Sequence, residues 1–108
     1  MRKLLAGLLM VPCMAHAEFW TGNDLLNRLN DTEAMGRVTG LGYIIGIADA
    51  FQKVSICMPS QVTAGQARDV VKEFLEKNAS VRHFSADSLV TEALTRAWPC
   101  QNKKGTRS

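Results

Sequence analysis

Histidine, strand signals and unbalanced charge are all scarce in this chain, and each scarcity excludes something. Only two histidines occur in 108 residues, and one of them, His16, sits among the first seventeen. His83 therefore stands alone in the rest, and a metal centre or a histidine-assisted nucleophile would have to be assembled around that one ring. No His-Glu-x-x-His, Gly-x-Ser-x-Gly or phosphate-cradling glycine loop is present. Asp69, Glu73 and Glu76 are interleaved with Arg68, Lys72 and Lys77, which is the pattern of a solvated helix face rather than a catalytic carboxylate pair. No enzyme activity, metal or cofactor is expected. Asn-Gly and Asp-Gly hairpin turns are missing, as is any sustained alternation of period two, so a sheet is not expected either.

What is present first is a leader. Arg2 and Lys3 precede the short apolar run Leu4 to Val11, and Ala15-His16-Ala17 has the small-x-small form of a signal-peptidase site. Met10-Val11-Pro12 lacks the small residues that a lipoprotein site wants before Cys13. The apolar run is far shorter than the roughly 20 residues a bilayer requires, so no stable membrane insertion is expected once the leader is removed. Residues 1–17 are read as a cleaved signal peptide, residues 18–101 as one small domain and residues 102–108 as a flexible basic tail. Losing Arg2 and Lys3 lowers the basic count from 13 to 11 against 10 acidic residues. A near-neutral body with no basic stripe argues against nucleic acid as a partner.

Export also changes the meaning of the cysteines. Cys13 leaves with the leader, and Cys57 and Cys100 remain. Two cysteines in a small exported domain most simply form one disulfide. A redox or nucleophilic thiol finds no support, since there is no Cys-x-x-Cys and no second thiol close to either residue.

Turn and cap signals divide the remainder into four helical stretches. Thr21 or Asn23 caps the first, in which Leu25, Leu26 and Leu29 share a face. After Asn30-Asp31-Thr32-Glu33 the longest stretch runs to about Gln52, with Val38, Leu41, Ile44, Ile45, Ala48 and Phe51 at the spacing of a buried face. Gly36, Gly40, Gly42 and Gly46 lie at intervals of four in two pairs, which predicts a central helix approached closely by its neighbours. Pro59 interrupts the chain after Cys57. Thr63 and Gln66 form a capping-box pattern before Val70, Val71, Phe74 and Leu75. Lys77 to Phe84 reads as a loop, and Ser85 is expected to cap a last helix that Pro99 stops. The expected fold is all-α, a small single-domain bundle of about four helices with one disulfide.

The order of motifs resembles a known family. Phe19-Trp-Thr-Gly-Asn-Asp-Leu-Leu26, Tyr43-Ile-Ile-Gly-Ile-Ala-Asp-Ala50, Cys57-Met-Pro59, Gln66, Ser85-Ala-Asp-Ser-Leu89 with Ala93-Leu94, and Trp98-Pro-Cys100 are similar to the Rap/Tai immunity proteins. The likeness runs from about Phe19 to Cys100. It implies a periplasmic, all-helical protein that protects Gram-negative cells by binding a peptidoglycan amidase delivered by type VI secretion and occluding its catalytic cleft. Cys57 and Cys100 match the disulfide positions of that family, and its members are often dimeric, so a homodimer is a second expected assembly. Where the family commonly carries two further cysteines, Leu29 and Gly40 stand here, as if one whole bridge were lost.

Two loops are expected to meet such a partner: Met58, Ser60 and Gln61 in one, and Asn78, Ser80, Arg82, His83 and Phe84 in the other. Arg82, His83 and Phe84 would supply a cation, a hydrogen-bonding ring and an apolar anchor, a combination suited to a binding hot spot. The rival expectation is a periplasmic accessory or chaperone-like protein on the same fold, prophage-borne, with a different client. That role calls for an exposed apolar surface.

Overall fold

The computed structural model describes residues 19–101, so the expected signal peptide and basic tail lie outside the described residues. Four helices account for most of the domain: α1 (Gly22–Leu29), α2 (Ala34–Phe51), α3 (Ala64–Lys77) and α4 (Ala86–Ala97), with a short 3-10 turn at Ala79–Val81. Each helix packs against the other three. The fold is all-α, and among the described residues no helix is long and apolar enough to cross a membrane.

Local chemistry sets the starts of α1 and α3. Thr21 Oγ1 accepts from the Asp24 amide at 3.2 Å while Asp24 Oδ2 accepts from the Thr21 amide at 2.9 Å. Thr63 and Gln66 repeat this reciprocal arrangement at 3.1 and 2.8 Å. Each box satisfies two backbone donors that a helix start would otherwise leave without partners. Ser85 stands at the N-cap position of α4 as expected, but its side chain makes no cap hydrogen bond. Its hydroxyl pairs with Ser88 Oγ at 3.0 Å, and the first amide of α4, that of Ala86, donates instead to Trp20 O at 2.8 Å. The carbonyl of Trp20 thus satisfies the first amide of α4.

The expected buried face of α2 also needs correcting. Gly36, Gly40, Ile44 and Ala48 face the interior, whereas Val38 is 61% exposed and Phe51 37% exposed. Because α2 is apolar around nearly its whole circumference, hydrophobic spacing alone does not select a face. Glycine does. A Cβ at Gly40 would lie 2.9 Å from Leu29 Cδ2, and one at Gly36 would collide with the Asp31 side chain. These two glycines let α1 and the α1–α2 turn press against the helix. Gly42 and Gly46, the other pair, have nothing within 4 Å of where a Cβ would stand. The contact also makes neighbours of Leu29 and Gly40.

Leu25, Ile44, Ile56, Val71, Leu75, Val90 and Leu94 are fully buried and draw on all four helices and the α2–α3 connection. Burying such a side chain is worth roughly 1.5–3 kcal/mol, which is what holds the bundle together. Cys57 and Cys100 are joined, with their Cα atoms 4.9 Å apart. The bridge fastens the α2–α3 connection to the end of α4, beside a backbone hydrogen bond from Cys57 N to Trp98 O at 2.8 Å.

Candidate functional site

The α3–α4 connection is shaped by what lies beneath it. The amides of Gly22 and Asn23, at the start of α1, donate to Phe84 O and Arg82 O, both at 2.9 Å. These bonds require close approach, and Gly22 allows it: a Cβ there would sit 2.5 Å from Leu89 Cδ1 and 3.0 Å from Arg82 O. Phe84 N donates to Val81 O at 2.9 Å and closes the turn. The backbone from Val81 to Phe84 is therefore pinned before any partner arrives.

Side chains of this connection divide into two groups. Asn78 Nδ2 donates to Phe74 O at 2.8 Å, and Arg82 Nη1 donates to Leu75 O at 3.2 Å. Both serve carbonyls at the end of α3 that lack helical partners. Arg82 Nε is buried without a partner among the described residues, so the guanidinium expected to face outward is half-buried against the end of α3. Ser80, His83 and Phe84 are exposed, Phe84 by 50%. The His83 and Phe84 rings meet edge to face with centroids 4.5 Å apart. The result is an aromatic ridge on a fixed backbone.

The other expected loop lies elsewhere. Met58 is half-buried against the core and held by Gln52, whose amide nitrogen donates to Met58 O at 3.1 Å. Ser60 and Gln61 are exposed. This loop precedes α3 and the aromatic ridge follows it, so the 14 residues of α3 separate them by roughly 20 Å. The fold does not bring the two loops into one site.

Sequence reasoning missed two further surfaces. One is a cavity of about 310 Å³ lined by Phe19, Tyr43, Ser85 and Asp87 on the side of the bundle where α4 begins. Tyr43 stacks on Trp20 with centroids 4.9 Å apart, and the Arg28 guanidinium covers Trp20 at 4.6 Å. Burial raises the Tyr43 phenol above its ordinary value of 10.0, and the Asp87 carboxylate adds to the shift. The other is a groove between α2 and α3, whose only hint in the sequence is that α2 carries more apolar positions than one face can bury. Among the described residues no group of three or more His, Cys, Asp and Glu is placed to hold a metal ion.

The comparison with curated proteins returns no match. The family profile of the Rap1a immunity proteins matches residues 21–100, which includes all four helices, the aromatic ridge and both cysteines of the disulfide. That agrees with the resemblance carried by the Trp98-Pro-Cys100 ending and the motifs before it. The chain belongs to the Rap1a immunity protein family.

Proposed function

We propose that this chain, freed of residues 1–17 by cleavage after Ala17, is a periplasmic, non-catalytic immunity protein. It binds a peptidoglycan amidase delivered by type VI secretion and covers that enzyme's catalytic cleft. Residues 18–101 are its inhibitory domain, followed in the sequence by the basic segment 102–108. Family membership carries this reading. The pinned ridge supports it physically, because a backbone already held by four-helix packing loses little conformational entropy on docking. His83 and Phe84 are the anchor pair, with Ser80 beside them; Met58, Ser60 and Gln61 belong to a separate contact at the far end of α3. Of the exposed large apolar residues, Met35, Val38 and Phe51 lie on α2, whereas Phe19, Val54 and Phe84 lie outside the helices.

The test is protection. An amidase encoded beside the gene is directed to the periplasm with and without the full chain, and lysis is followed. Rescue by the intact chain, with a stable complex on co-purification, is the expected result. Failure to bind or protect against any amidase from related secretion clusters overturns the proposal. Replacing His83 and Phe84 together by alanine should weaken the complex by about 30-fold or more, the loss expected of a hot-spot pair. Sedimentation of the same material reads whether the free protein is a homodimer.

A further inference from the structure

We infer that the groove between α2 and α3 is a second docking surface, one that receives an acidic segment with an apolar side chain from the protein partner. It is a cavity of about 380 Å³. Its apolar lining comes from Leu29, Val38 and Leu41, and its charged lining from Arg37, Arg68 and Lys72 against a single carboxylate, Asp69. The neighbouring groove between α3 and α4 makes an instructive contrast. There Lys77 pairs with Glu73, Arg96 pairs with Glu92, and Arg96 also lies over the Phe74 ring, so the charges are answered within the protein. In the α2–α3 groove Arg68 pairs with Asp69 at 3.0 Å, and among the described residues Arg37 and Lys72 have no ion-pair partner.

Arg37 is also held in position. Its Nη1 donates to Asp31 O and Thr32 O, both at 2.9 Å, and its other guanidinium nitrogens have no hydrogen bond among the described residues. A cation fixed this way binds a carboxylate without first losing side-chain freedom. Val38, 61% exposed, offers apolar surface beside it. Fixed and unanswered positive charge next to exposed apolar surface complements a partner segment that mixes glutamate or aspartate with leucine or phenylalanine.

The inference rests on the chain being a partner-binding protein, and the experiment separates the two. Isotope-labelled mature chain is titrated at low salt with a hexapeptide alternating glutamate and leucine, and with its lysine–leucine counterpart. Saturable shifts at Val38, Leu41 and Lys72 with the acidic peptide alone are expected, weakened about tenfold or more in Arg68→Glu/Lys72→Glu. Arg68→Gln/Lys72→Gln should fall between the two, and both variants should melt near the parent because their charges lie at the surface. Equal shifts with the lysine peptide, or none with either, overturn the inference. So does amidase binding that the double charge reversal leaves unchanged, an outcome that leaves the proposed function standing. If the parent binds no amidase at all, that reading fails and the peptide titration still judges the groove.

Discussion

The two ends of α4 are fastened to the rest of the molecule by different chemistry. At its C-terminal end a covalent bond joins Cys57 to Cys100, and Ile56, fully buried, forms a bridge with Pro99. At its N-terminal end nothing covalent intervenes. Thr21 and Ser85 form an antiparallel bridge, Ala86 donates to Trp20, and the first amides of α1 donate to the α3–α4 connection. The contrast shows two ways to hold a connection still. A disulfide acts mainly by restricting the unfolded chain and tolerates change around it. A backbone junction depends on close approach, and therefore on the one residue without a side chain, Gly22. The aromatic ridge belongs to the second kind, so its shape is vulnerable to a single added methyl group.

Breaking the covalent end should produce the largest effect. Cys57→Ala/Cys100→Ala frees a 43-residue separation and should lower stability by about 3–4 kcal/mol in urea unfolding. Hydrogen exchange should then rise first around Gln52 to Met58, with the Gly22 and Asn23 amides still protected. Simultaneous loss of protection at both places would show that the two ends are one cooperative unit.

Gly22→Ala attacks the other end. Leu89 and Leu75 can shift, but Arg82 O is backbone and already carries the Asn23 hydrogen bond, so a loss of about 2 kcal/mol is expected. The accompanying measurement is partner affinity, which should fall in this variant and hold in the disulfide variant at temperatures where both are folded. Equal affinity losses would erase the distinction between the two ends.

Removing a cap should be milder. Thr21→Ala and Thr63→Ala each give up one side-chain acceptor and should cost about 1 kcal/mol. The Thr21 change should loosen the ridge and the Thr63 change should not, which exchange at Asn23 and at Gln66 distinguishes.

The smallest effect is a titration. Tyr43 is the only tyrosine, so phenolate absorbance reports it alone. Burial, and then Asp87, raise its folded value above 10.0. The unfolded chain ionises first, so this contribution to stability is complete below about pH 10 and is lost as the pH rises through the folded value. Asp87→Asn should bring the midpoint down part of the way, because burial remains. A midpoint that returns fully to the ordinary value would make Asp87 the dominant cause.

Much of this architecture was legible in the chain itself. Thr63 with Gln66 carries the start of α3 in four residues, and Thr21 or Asn23 is the cap the sequence offers α1, because capping is a local hydrogen-bonding problem. Pro59 and Pro99 mark interruptions for the same local reason, and Cys57 and Cys100 are the pair expected from the sequence. Less could be read where the deciding contact lies far along the sequence. Ser85 holds the cap position of α4, but its hydroxyl turns to Ser88 while Trp20, from the start of the domain, takes the first amide of the helix. Arg82 looks like a free cation until the end of α3 claims it. The Gly22 amide holds the Phe84 carbonyl inward, and the Phe84 side chain stays half-exposed.

The sequence by itself determined the helices, their boundaries, the single bridge and the family, since propensity, capping and motif order act over a few residues at a time. Tertiary structure alone decided which face of α2 is buried, which loop residues point outward and that α2 and α3 leave a charged groove between them. The physical reason is that α2 is apolar on nearly every side. Its orientation is then set by where neighbouring side chains can come close, those of Asp31 at Gly36 and of Leu29 at Gly40, and no pattern within the helix records where those neighbours lie.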